Sequence, residues 1–466
     1  MKIMVVAIME KLSLQTIKNA VNGTSNYECV IENICIDTRQ IKEDCLYIAI
    51  KGENFDGHDF IEQAFRLGAK AVLSEKPIPN HEEVVLVTDT KQALLDLAKY
   101  YRGLFNLFVV GVTGSVGKTS TKEMIYTILN SKSNTLKTQG NFNNEIGMPM
   151  TMFNLDNHYD NAVFEMGMSD FGEISALTKV ASPSVGVITN IGVSHIEILK
   201  TQENIMKAKL EILEGMALDA PLVLNGDDPL LITVNQMIQH PIIYYGIENT
   251  TADITASNIV QEDMKTTFNI HYYGKTIQAE LPTIGKHNVM NALAGFCVGL
   301  IADISPEHMV AAMKMYKNAN MRQNISTIGG ITVIEDCYNA SPDSMNAAID
   351  VIETTNCEGK RVCVFGDMLE LGELSEEAHT NVGKSVARSR VDMLLCYGAQ
   401  AKFMKRGAII IGMKNVKHFD SKENLVSYIA NNVNPGDAII YKASRGMKLE
   451  EVMSAVNDIW NADDSE

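Results

Sequence analysis

The sequence has few of the features that mark secreted, zinc-binding or membrane proteins. Its eight cysteines are scattered, without a Cys-x-x-Cys pair and without a His/Cys cluster at zinc-ligand spacing, so we expect reduced and mostly buried thiols. No apolar run is long enough to span a bilayer. The first apolar run, MKIMVVAIME, is too short for a signal peptide and lacks a small-residue cleavage site. These absences indicate a cytoplasmic protein without a membrane span.

Positive charge is also scarce in this chain. Lys and Arg number 40 against 57 Asp and Glu, which gives a net charge of -17 at pH 7. A surface of this sign repels nucleic acid and anionic membranes, so neither is expected as a partner. A small anionic substrate is compatible with this charge if a local site is basic or carries metal ions.

Short apolar runs alternate with amphipathic stretches along nearly the whole chain, which is typical of α/β proteins. A chain of 466 residues with 46% hydrophobic residues is expected to fold into about three domains. The strand-like runs group into three blocks, and no linker rich in Pro, Ser or Gly separates them. We place the domain limits at residues 1–105, 106–325 and 326–466.

A glycine-rich segment, GVTGSVGKTS at residues 111–120, lies between a strand-like run and a stretch with helical spacing. This context is typical of a phosphate-binding loop, whose backbone N–H groups and helix N-terminus favour anions. Lys118 is expected to neutralise the terminal phosphates, and the Thr119 hydroxyl to reach a Mg²⁺ ion. The usual pattern has glycine where this chain has Val112. The expected nucleotide-binding residues are Thr113, Gly114, Ser115, Val116, Gly117, Lys118 and Thr119.

Two polar residues follow the next predicted strands and are candidate metal ligands. Glu165 ends the run NAVFE, where a buried carboxylate is costly unless it is paired or bound to a metal. The sequence is compatible with either a metal ligand or an ion pair there. His195 follows the run ITNIGVS as either a metal ligand or a structural histidine.

Lys209 lies in the middle of the apolar face of a predicted helix, ENIMKAKLEILEGMAL. One interpretation is a lysine whose ammonium extends along the helix into water. The other is a desolvated lysine, whose lowered pKa leaves a nucleophilic neutral amine. Such an amine captures CO₂ as a carbamate, which changes a cation into a metal-bridging ligand. The sequence leaves both interpretations open.

These segments together resemble the Mur ligase family, the ATP-dependent enzymes that form the amide bonds of peptidoglycan precursors. The altered phosphate loop matches, Glu165 stands in the E-x-G motif, and Asn190 to His195 match N-I-G-x-[AS]-H. Lys209 stands in an A-K-x-x-I context, and GKHNVMNA at residues 285–292 is similar to the family's adenine-side motif. Taken alone, each segment is also typical of a polar loop, because Asn, Gly and Asp favour turns. Their joint order along the chain carries the resemblance.

Further segments resemble the members of the family that add D-alanyl-D-alanine to UDP-N-acetylmuramoyl-tripeptide. These segments are residues 36–60, 138–149, 336–345, 365–371 and 442–452. The match covers essentially the whole chain from about residue 13. Val116 and Ala443 depart from the family pattern but remove no chemical group on which the interpretation depends. Residues 1–9 match nothing, so the start is expected at either Met1 or Met9.

The resemblance implies a three-domain α/β fold. An N-terminal UDP-binding domain, a central phosphate-loop ATPase domain with a mostly parallel sheet and a C-terminal Rossmann-like domain are expected. ATP and two Mg²⁺ ions are the implied cofactors, with one ion at Thr119 and Glu165 and the other at His195 and carbamylated Lys209. The implied catalytic residues are Lys118, Glu165, His195 and Lys209.

The resemblance also assigns residues to the nucleotide and the substrates. Asn288 and Asn291 are expected to hold adenine, and Arg322 and Asp336 to reach the phosphates and ribose. The residues expected at the UDP end are Thr38, Arg39, Asp56, Gly57 and His58, and those expected at the sugar-peptide are Asn141, Asn143 and Asn144. The third domain is expected to bind the dipeptide and to close over the cleft. The implied partners are UDP-N-acetylmuramoyl-tripeptide and D-alanyl-D-alanine, bound by a monomer.

Other functions fit the sequence less well. Another Mur-family ligase or a folylpolyglutamate synthase shares the phosphate loop, but the D-N-P-R motif of diaminopimelate recognition is absent. A phosphate-loop GTPase switch needs an N-K-x-D guanine motif, which the sequence also lacks. We therefore expect an ATP-dependent amide-bond ligase that works through an acyl phosphate. The third residue of the tripeptide, lysine or diaminopimelate, is not determined by the sequence.

Overall fold

The computed structural model describes residues 6–52, 55–262 and 264–463. Their strands form three separate sheets, one in each of three consecutive parts of the chain. Most neighbouring strands are parallel, so the predicted three-domain α/β fold with mostly parallel sheets is confirmed. No helix in these ranges is both long enough and apolar enough to cross a membrane.

A five-stranded sheet and its connecting helices make up the first part of the chain. The elements are β1 (Val6–Ser13), α1 (Leu14–Val21), β2 (Val30–Cys35), β3 (Cys45–Ile48), α2 (Ile61–Arg66), β4 (Ala69–Ser74), β5 (Val84–Leu86) and α3 (Thr90–Arg102). The strands follow one another in sequence order, with β1 antiparallel to β2 and the others parallel. Residues 6–9, which match no family motif, belong to β1, and residues 6–8 pair with β2.

A nine-stranded sheet makes up the second part, with the order β14-β13-β12-β11-β10-β9-β6-β8-β7 from edge to edge. The elements are β6 (Phe108–Thr113), α4 (Lys118–Asn130), β7 (Thr135–Lys137), α5 (Gly147–Met152), β8 (Asn161–Glu165), α6 (Glu173–Ala181), β9 (Val185–Ile188), α7 (Ile196–Leu199), α8 (Gln202–Leu210), β10 (Leu222–Asn225), β11 (Ile242–Gly246), β12 (Ile254–Glu262), β13 (Lys265–Tyr272), β14 (Lys275–Leu281), α9 (Lys286–Ile301) and α10 (Pro306–Met313). The strands from β12 to β7 are parallel, and β12, β13 and β14 form an antiparallel extension.

A six-stranded sheet makes up the third part, with the order β15-β16-β20-β17-β18-β19. The elements are β15 (Asn324–Ile328), β16 (Ile331–Glu335), α11 (Pro342–Thr354), β17 (Arg361–Gly366), α12 (Ser375–Arg388), β18 (Met393–Tyr397), α13 (Lys402–Ile411), β19 (Val416–Phe419), α14 (Lys422–Asn432), β20 (Ala438–Lys442) and α15 (Glu450–Asp463). Only β15 is antiparallel to its neighbour in this sheet, among the described strands. The expected limit at residue 325 falls inside β15.

Strand β6 shows why the central strands are apolar at consecutive positions. Val109, Val110 and Val112 are fully buried, because β6 lies inside a parallel sheet with α4 and α6 packed against it. The chain continues from β6 to β7 and β8 on one side and later to β9 on the other. A crevice forms at such a reversal of strand order, beyond the carboxyl ends of the strands. The phosphate loop, Glu165 and the segment after β9 all start at this edge.

Helix α3 joins the first two parts of the molecule. The hydroxyl of Tyr101 donates to the carbonyl oxygen of Leu155 at 2.7 Å, and the guanidinium of Arg102 donates to that of Ala181 at 2.9 Å. One hydrophobic core continues from the first sheet through α3 into the second part. The expected domain limit at residue 105 therefore follows a helix, α3, that packs against both the first and the second part of the molecule.

Candidate active site

The phosphate loop is fixed by backbone conformation and by the segment after β9. Gly114 and Gly117 have φ angles of 146° and 84°, in the range that favours glycine. A Cβ atom at Gly114 would lie 1.9 Å from Oγ1 of Thr189. That hydroxyl donates to the carbonyl oxygen of Val116 at 2.5 Å, and the backbone N–H of Val116 donates to Oδ1 of Asn190 at 2.8 Å. The phosphate loop is therefore packed closely against the segment after β9.

The predicted nucleotide-binding run occupies the end of β6, the loop and the first turn of α4. Lys118 and Thr119 begin the helix, and Nζ of Lys118 donates to the carbonyl oxygen of Gly114 at 2.7 Å. Desolvation lowers the pKa of Lys118; the charge of Glu165 opposes this and that of Arg322 adds to it. The Lys118 ammonium thus lies at the N-terminus of α4. Both the ammonium and the helix N-terminus favour a bound anion.

Glu165 is buried at the end of β8, with 2% of its surface exposed. Its Oε1 accepts a hydrogen bond from Nδ2 of Asn143 at 2.8 Å, whereas Oε2 receives none from the described residues. Nζ of Lys122 lies 3.8 Å from Oε2 and is itself 1% exposed. Both interpretations of Glu165 from the sequence therefore stay open. The nearby Lys122 ammonium is consistent with an ion pair. The absence of a hydrogen bond to Oε2 from the described residues is consistent with a metal ligand.

The oxygen groups around Glu165 fit a Mg²⁺ ion. A buried carboxylate oxygen without a hydrogen bond and the Thr119 hydroxyl at the start of α4 are hard ligands of the kind that Mg²⁺ prefers. No three His, Cys, Asp or Glu side chains converge on one point within the described ranges. A site with few carboxylates is what Mg²⁺ uses where phosphates and water complete its shell.

Lys209 is at the end of α8, which is shorter than the predicted helix and continues as a 3-10 turn, Glu211–Gly215. Its side chain is 2% exposed, and no described residue forms a hydrogen bond or ion pair with its Nζ. Desolvation lowers its pKa well below the ordinary value, and the nearby charge of Lys118 lowers it further. Because only 2% of the residue's surface is exposed, the structure favours the interpretation as a desolvated lysine.

His195 lies in a cavity between the second and third parts of the molecule. Its Nδ1 is 2.9 Å from Oε2 of Glu370, in the third part. We call this the His195 cavity; its volume is about 270 Å³, and its lining includes Ser115, Lys118, Asn141, Tyr338, Asn339, Glu370 and Arg445. The predicted sugar-peptide residue Asn141 therefore lines the same cavity as Lys118. The cavity brings positive groups of two domains around one volume.

A second cavity, the Asn291 cavity, lies on the other side of the phosphate loop. Its volume is about 290 Å³, and its lining includes Val116, Gly117, His287, Asn288, Asn291, Arg322, Gln323, Asp336 and Lys442. All four residues predicted for adenine, ribose and phosphates are in this lining. Nζ of Lys442 lies 2.5 Å from Oδ2 of Asp336, and the Arg322 guanidinium lies 4.3 Å from the Tyr338 ring centre.

The amides of Asn288 and Asn291 bond mainly to protein. Nδ2 of Asn288 donates to the carbonyl oxygen of Ile284 at 2.8 Å and to Oε1 of Gln323 at 2.9 Å. Oδ1 of Asn291 accepts from the Thr121 hydroxyl at 2.9 Å. These two residues therefore hold the wall of the cavity in shape. The expectation that they bind the base directly stays untested.

The residues predicted for the UDP end lie around two short 3-10 turns in the first domain. Nδ1 of His58 is 2.6 Å from Oδ1 of Asp56, and its Nε2 accepts from the backbone N–H of Glu75 at 3.1 Å. Both ring nitrogens of His58 are thus engaged within the protein. Gly57 has no room for a side chain, since a Cβ atom would lie 2.7 Å from the Ile50 carbonyl oxygen. Thr38 is buried, and Arg39 is exposed and pairs with Asp37.

The three predicted asparagines after the phosphate loop have three different positions. Asn141 lines the His195 cavity, and Asn143 donates to Glu165. Asn144 accepts from the backbone N–H of Gly147 at 2.8 Å, at the start of α5. Asn141 therefore lines a cavity, whereas Asn143 positions a carboxylate and Asn144 the start of a helix.

Four residues of the site were not identified from the sequence. Lys122 pairs with Glu165, Glu370 with His195 and Lys442 with Asp336, while His287 lies 2.9 Å from Oε1 of Gln323. Glu370, Lys442 and His287 are within segments that carry the family resemblance, which is the one signal that marked them. Their partners lie in distant parts of the chain, so spacing alone did not reveal the pairs.

Three family models match consecutive parts of the chain. They are described as Mur ligase family, catalytic domain, at residues 30–108; Mur ligase middle domain, at residues 112–299; and Mur ligase, glutamate ligase domain, at residues 321–445. Together they cover most of the described chain, including both cavities.

Individual relatives match over nearly their whole length. The UDP-N-acetylmuramoyl-tripeptide–D-alanyl-D-alanine ligase of Bacillus subtilis is 41% identical over 96% of this chain and 98% of its own. The crystal structure of MurF from Acinetobacter baumannii superposes with a TM-score of 0.90 at 30% identity, covering 97% of this chain and 99% of its own. MurF ligase from Thermotoga maritima, solved in complex with ADP, has a TM-score of 0.84 at 29% identity, covering 92% and 98%. The chain therefore belongs to the Mur ligase family.

Proposed function

We propose that the protein is an ATP-dependent ligase that joins D-alanyl-D-alanine to UDP-N-acetylmuramoyl-tripeptide and releases ADP and phosphate. The likeness to the Bacillus subtilis ligase over almost the whole of both chains supports the two substrates. The reaction would take place in the cytoplasm, where ATP is available. One observation carries the proposal: the phosphate loop separates two cavities, with Val116 and Gly117 lining one and Ser115 and Lys118 the other.

The chemistry requires an activated carboxylate. A carboxylate does not react with an amine in neutral water, because oxide is a poor leaving group. Attack of a carboxylate oxygen on the γ-phosphorus of ATP breaks the bond to ADP and gives an acyl phosphate. The dipeptide amine then attacks the acyl carbon, the tetrahedral intermediate expels phosphate, and the amine loses a proton. The protein has to bring two anions together for the first step.

Lys118 suits this first step by its position. It lies at the start of α4, directly after the loop residues that line the Asn291 cavity, and it lines the His195 cavity itself. Its ammonium would therefore lie near the terminal phosphate of a nucleotide bound along the loop. Thr119 and Glu165 would hold one Mg²⁺ ion and His195 a second. Bound there, the ions screen the negative charge between phosphate and carboxylate. Asn143 and Lys122 fix the Glu165 carboxylate from the protein side.

Lys209 would be carbamylated in the working enzyme. Its buried amine has no described partner, and its pKa is far below the ordinary value, so the neutral form is favoured. The lone pair of Nζ attacks CO₂, an N–C bond forms and a proton leaves to solvent. The product is an anion next to Lys118. The carbamate attracts the Lys118 ammonium, whereas an ammonium at Lys209 would repel it.

The remaining groups divide between the two larger substrates. The first domain would bind the UDP end near Thr38 and Arg39, with His58 acting through Asp56 and Glu75 rather than by direct contact. Asn141 would orient the sugar-peptide in the His195 cavity. The third domain would bind the dipeptide in the same cavity. Arg445, which lines the cavity, suits its carboxylate.

Phosphate release from ATP tests the proposal. We expect turnover only when UDP-N-acetylmuramoyl-tripeptide and D-alanyl-D-alanine are both present, and almost none when either is omitted. Lys118→Ala should reduce turnover about 100-fold or more, because it removes a charge aimed at the transferred phosphoryl group. Lys132→Ala, an exposed lysine beyond the other end of α4, is the matched control and should leave turnover unchanged.

Two outcomes would contradict the proposal. Rapid ATP hydrolysis with neither substrate present would indicate an ATPase rather than a ligase. Equal efficiency with GTP would instead favour a nucleotide switch.

A further inference from the structure

One contact joins the third domain to the predicted metal-ligand histidine. Nδ1 of His195 lies 2.9 Å from Oε2 of Glu370, which is within hydrogen-bonding distance. A carboxylate accepts only, so a hydrogen bond across this contact requires the proton on Nδ1. No described residue forms a hydrogen bond or ion pair with Nε2 of His195, and His195 lines the His195 cavity.

The segment that carries Glu370 is anchored within its own domain. The backbone N–H of Met368 donates to Nε2 of His379 at 3.0 Å, and that of Leu369 donates to Oγ of Ser444 at 2.9 Å. Leu371, on the other side of Glu370, is buried. The backbone on both sides of Glu370 is therefore held by the third domain, while its side chain contacts the second domain.

Both partners of the contact have a backbone conformation that non-glycine residues seldom adopt. His195 has a φ of 63° and Glu370 a φ of 64°. A non-glycine residue in this backbone conformation makes the folded state less stable. Such a conformation is found where the surrounding structure or the function requires it. The Glu370 side chain is largely exposed, and exposed ion pairs contribute little to stability. Stability of the fold does not explain the pair.

We propose that Glu370 is a positioning residue, whose carboxylate sets the tautomer and orientation of His195 when the third domain is docked. A carboxylate on one imidazole nitrogen fixes the other as the free ligand, and metal-binding histidines commonly have such a partner. Because the partner comes from another domain, the histidine is correctly oriented only in the docked arrangement. The inference rests on the proposed function, in which His195 is a ligand.

The first test is the tautomer of His195 in the metal-free protein. Long-range ¹⁵N–¹H spectra of protein labelled at histidine report which ring nitrogen carries the proton, and His195→Gln identifies the signal. We expect the Nδ1–H form in the wild type and in Glu370→Gln, whose amide oxygen still accepts. Glu370→Ala should shift the signal toward the Nε2–H form, which is the common form of a free imidazole. An Nε2–H signal in the wild type would overturn the inference.

The second test is the dependence of ligase activity on Mg²⁺. Glu370→Ala should raise the Mg²⁺ concentration for half-maximal activity about 10-fold, with Glu370→Gln closer to the wild type. Glu376→Ala is the matched control, since Glu376 pairs with Arg406 on the exposed surface of the same domain. It should change neither the spectrum nor the Mg²⁺ dependence. An unchanged Mg²⁺ dependence in Glu370→Ala would also overturn the inference.

The two proposals fail in different ways. If the wild type does not join the two substrates, the proposed function is wrong, whatever the His195 spectrum shows. If the wild type is an active ligase and Glu370→Ala keeps the wild-type tautomer, only the role of Glu370 is wrong.

Discussion

At the scale of single residues, Lys209 separates the competing interpretations most clearly. It is a fully buried lysine without a described partner, next to the second cation of the site, Lys118. An unmodified ammonium there would repel the metal ion proposed at His195. A carbamate would attract it, and this difference in sign makes the residue testable by substitution.

We expect Lys209→Arg and Lys209→Ala both to reduce ligase turnover about 100-fold or more, because neither side chain can carry a carbamate. Arginine keeps the charge and much of the length of lysine, so its failure would separate the carbamate from a simple cation. Turnover should be measured by phosphate release with both substrates present. Circular dichroism of each variant serves as the control for folding.

Added short carboxylic acids should partly restore the alanine variant. Formate or acetate would supply the anionic ligand that the alanine variant lacks. Near-normal turnover of Lys209→Arg would contradict the carbamate, as would an unmodified Nζ in a crystal structure of the metal-loaded enzyme.

At the scale of elements, the turn between β6 and α4 depends on the absence of a side chain at Gly114. Alanine there would have an unfavourable φ and would also press its Cβ atom against Thr189, whose hydroxyl bonds to the loop. We expect Gly114→Ala to lower the free energy of unfolding by about 1–3 kcal/mol and to raise the KM for ATP. Denaturant unfolding and initial rates measure the two effects.

Gly172→Ala is the matched control for this turn. Gly172 also has a positive φ, 85°, but no atom lies within 4 Å of an added Cβ. It should show the smaller cost of the backbone conformation alone and an unchanged KM for ATP. Equal effects of the two substitutions would show that the contact with Thr189 is unimportant.

The elements that the sequence predicted best are the buried parallel strands. β6, β8 and β17 are continuous apolar runs, since helices cover both faces of their sheets. The antiparallel extension from β12 to β14 was not predicted. Its polar and apolar residues alternate, with Phe268 and Ile270 buried and Asn269 between them partly exposed, so no apolar run marks it.

The candidate site was predictable to the extent that its residues follow strands in the chain. The phosphate loop, Glu165 and His195 each come after a strand of one sheet, and parallel strands place such residues at one edge. Pairs across domains were not predictable, because the contact of Glu370 with His195 depends on how two separately folded units dock. The contacts of the His58 ring with Asp56 and Glu75 lie within the first domain and were also not predicted.

At the scale of the whole molecule, the site is divided between domains. The second domain supplies the phosphate loop, and the third supplies Asp336 and Lys442 to the Asn291 cavity and Glu370 and Arg445 to the His195 cavity. Neither cavity is complete within one domain. Docking of the third domain would therefore assemble the groups needed for phosphoryl transfer and shield the acyl phosphate from water.

The most direct test of this account follows an oxygen atom from the tripeptide to phosphate. UDP-N-acetylmuramoyl-tripeptide carrying ¹⁸O in its reacting carboxylate is incubated with ATP and D-alanyl-D-alanine, and the released phosphate is analysed by mass spectrometry. Carboxylate attack on the γ-phosphorus predicts one labelled oxygen in each phosphate formed with an amide bond, because the bridging oxygen leaves with phosphorus. Unlabelled phosphate, released as fast as the amide forms, would contradict the account.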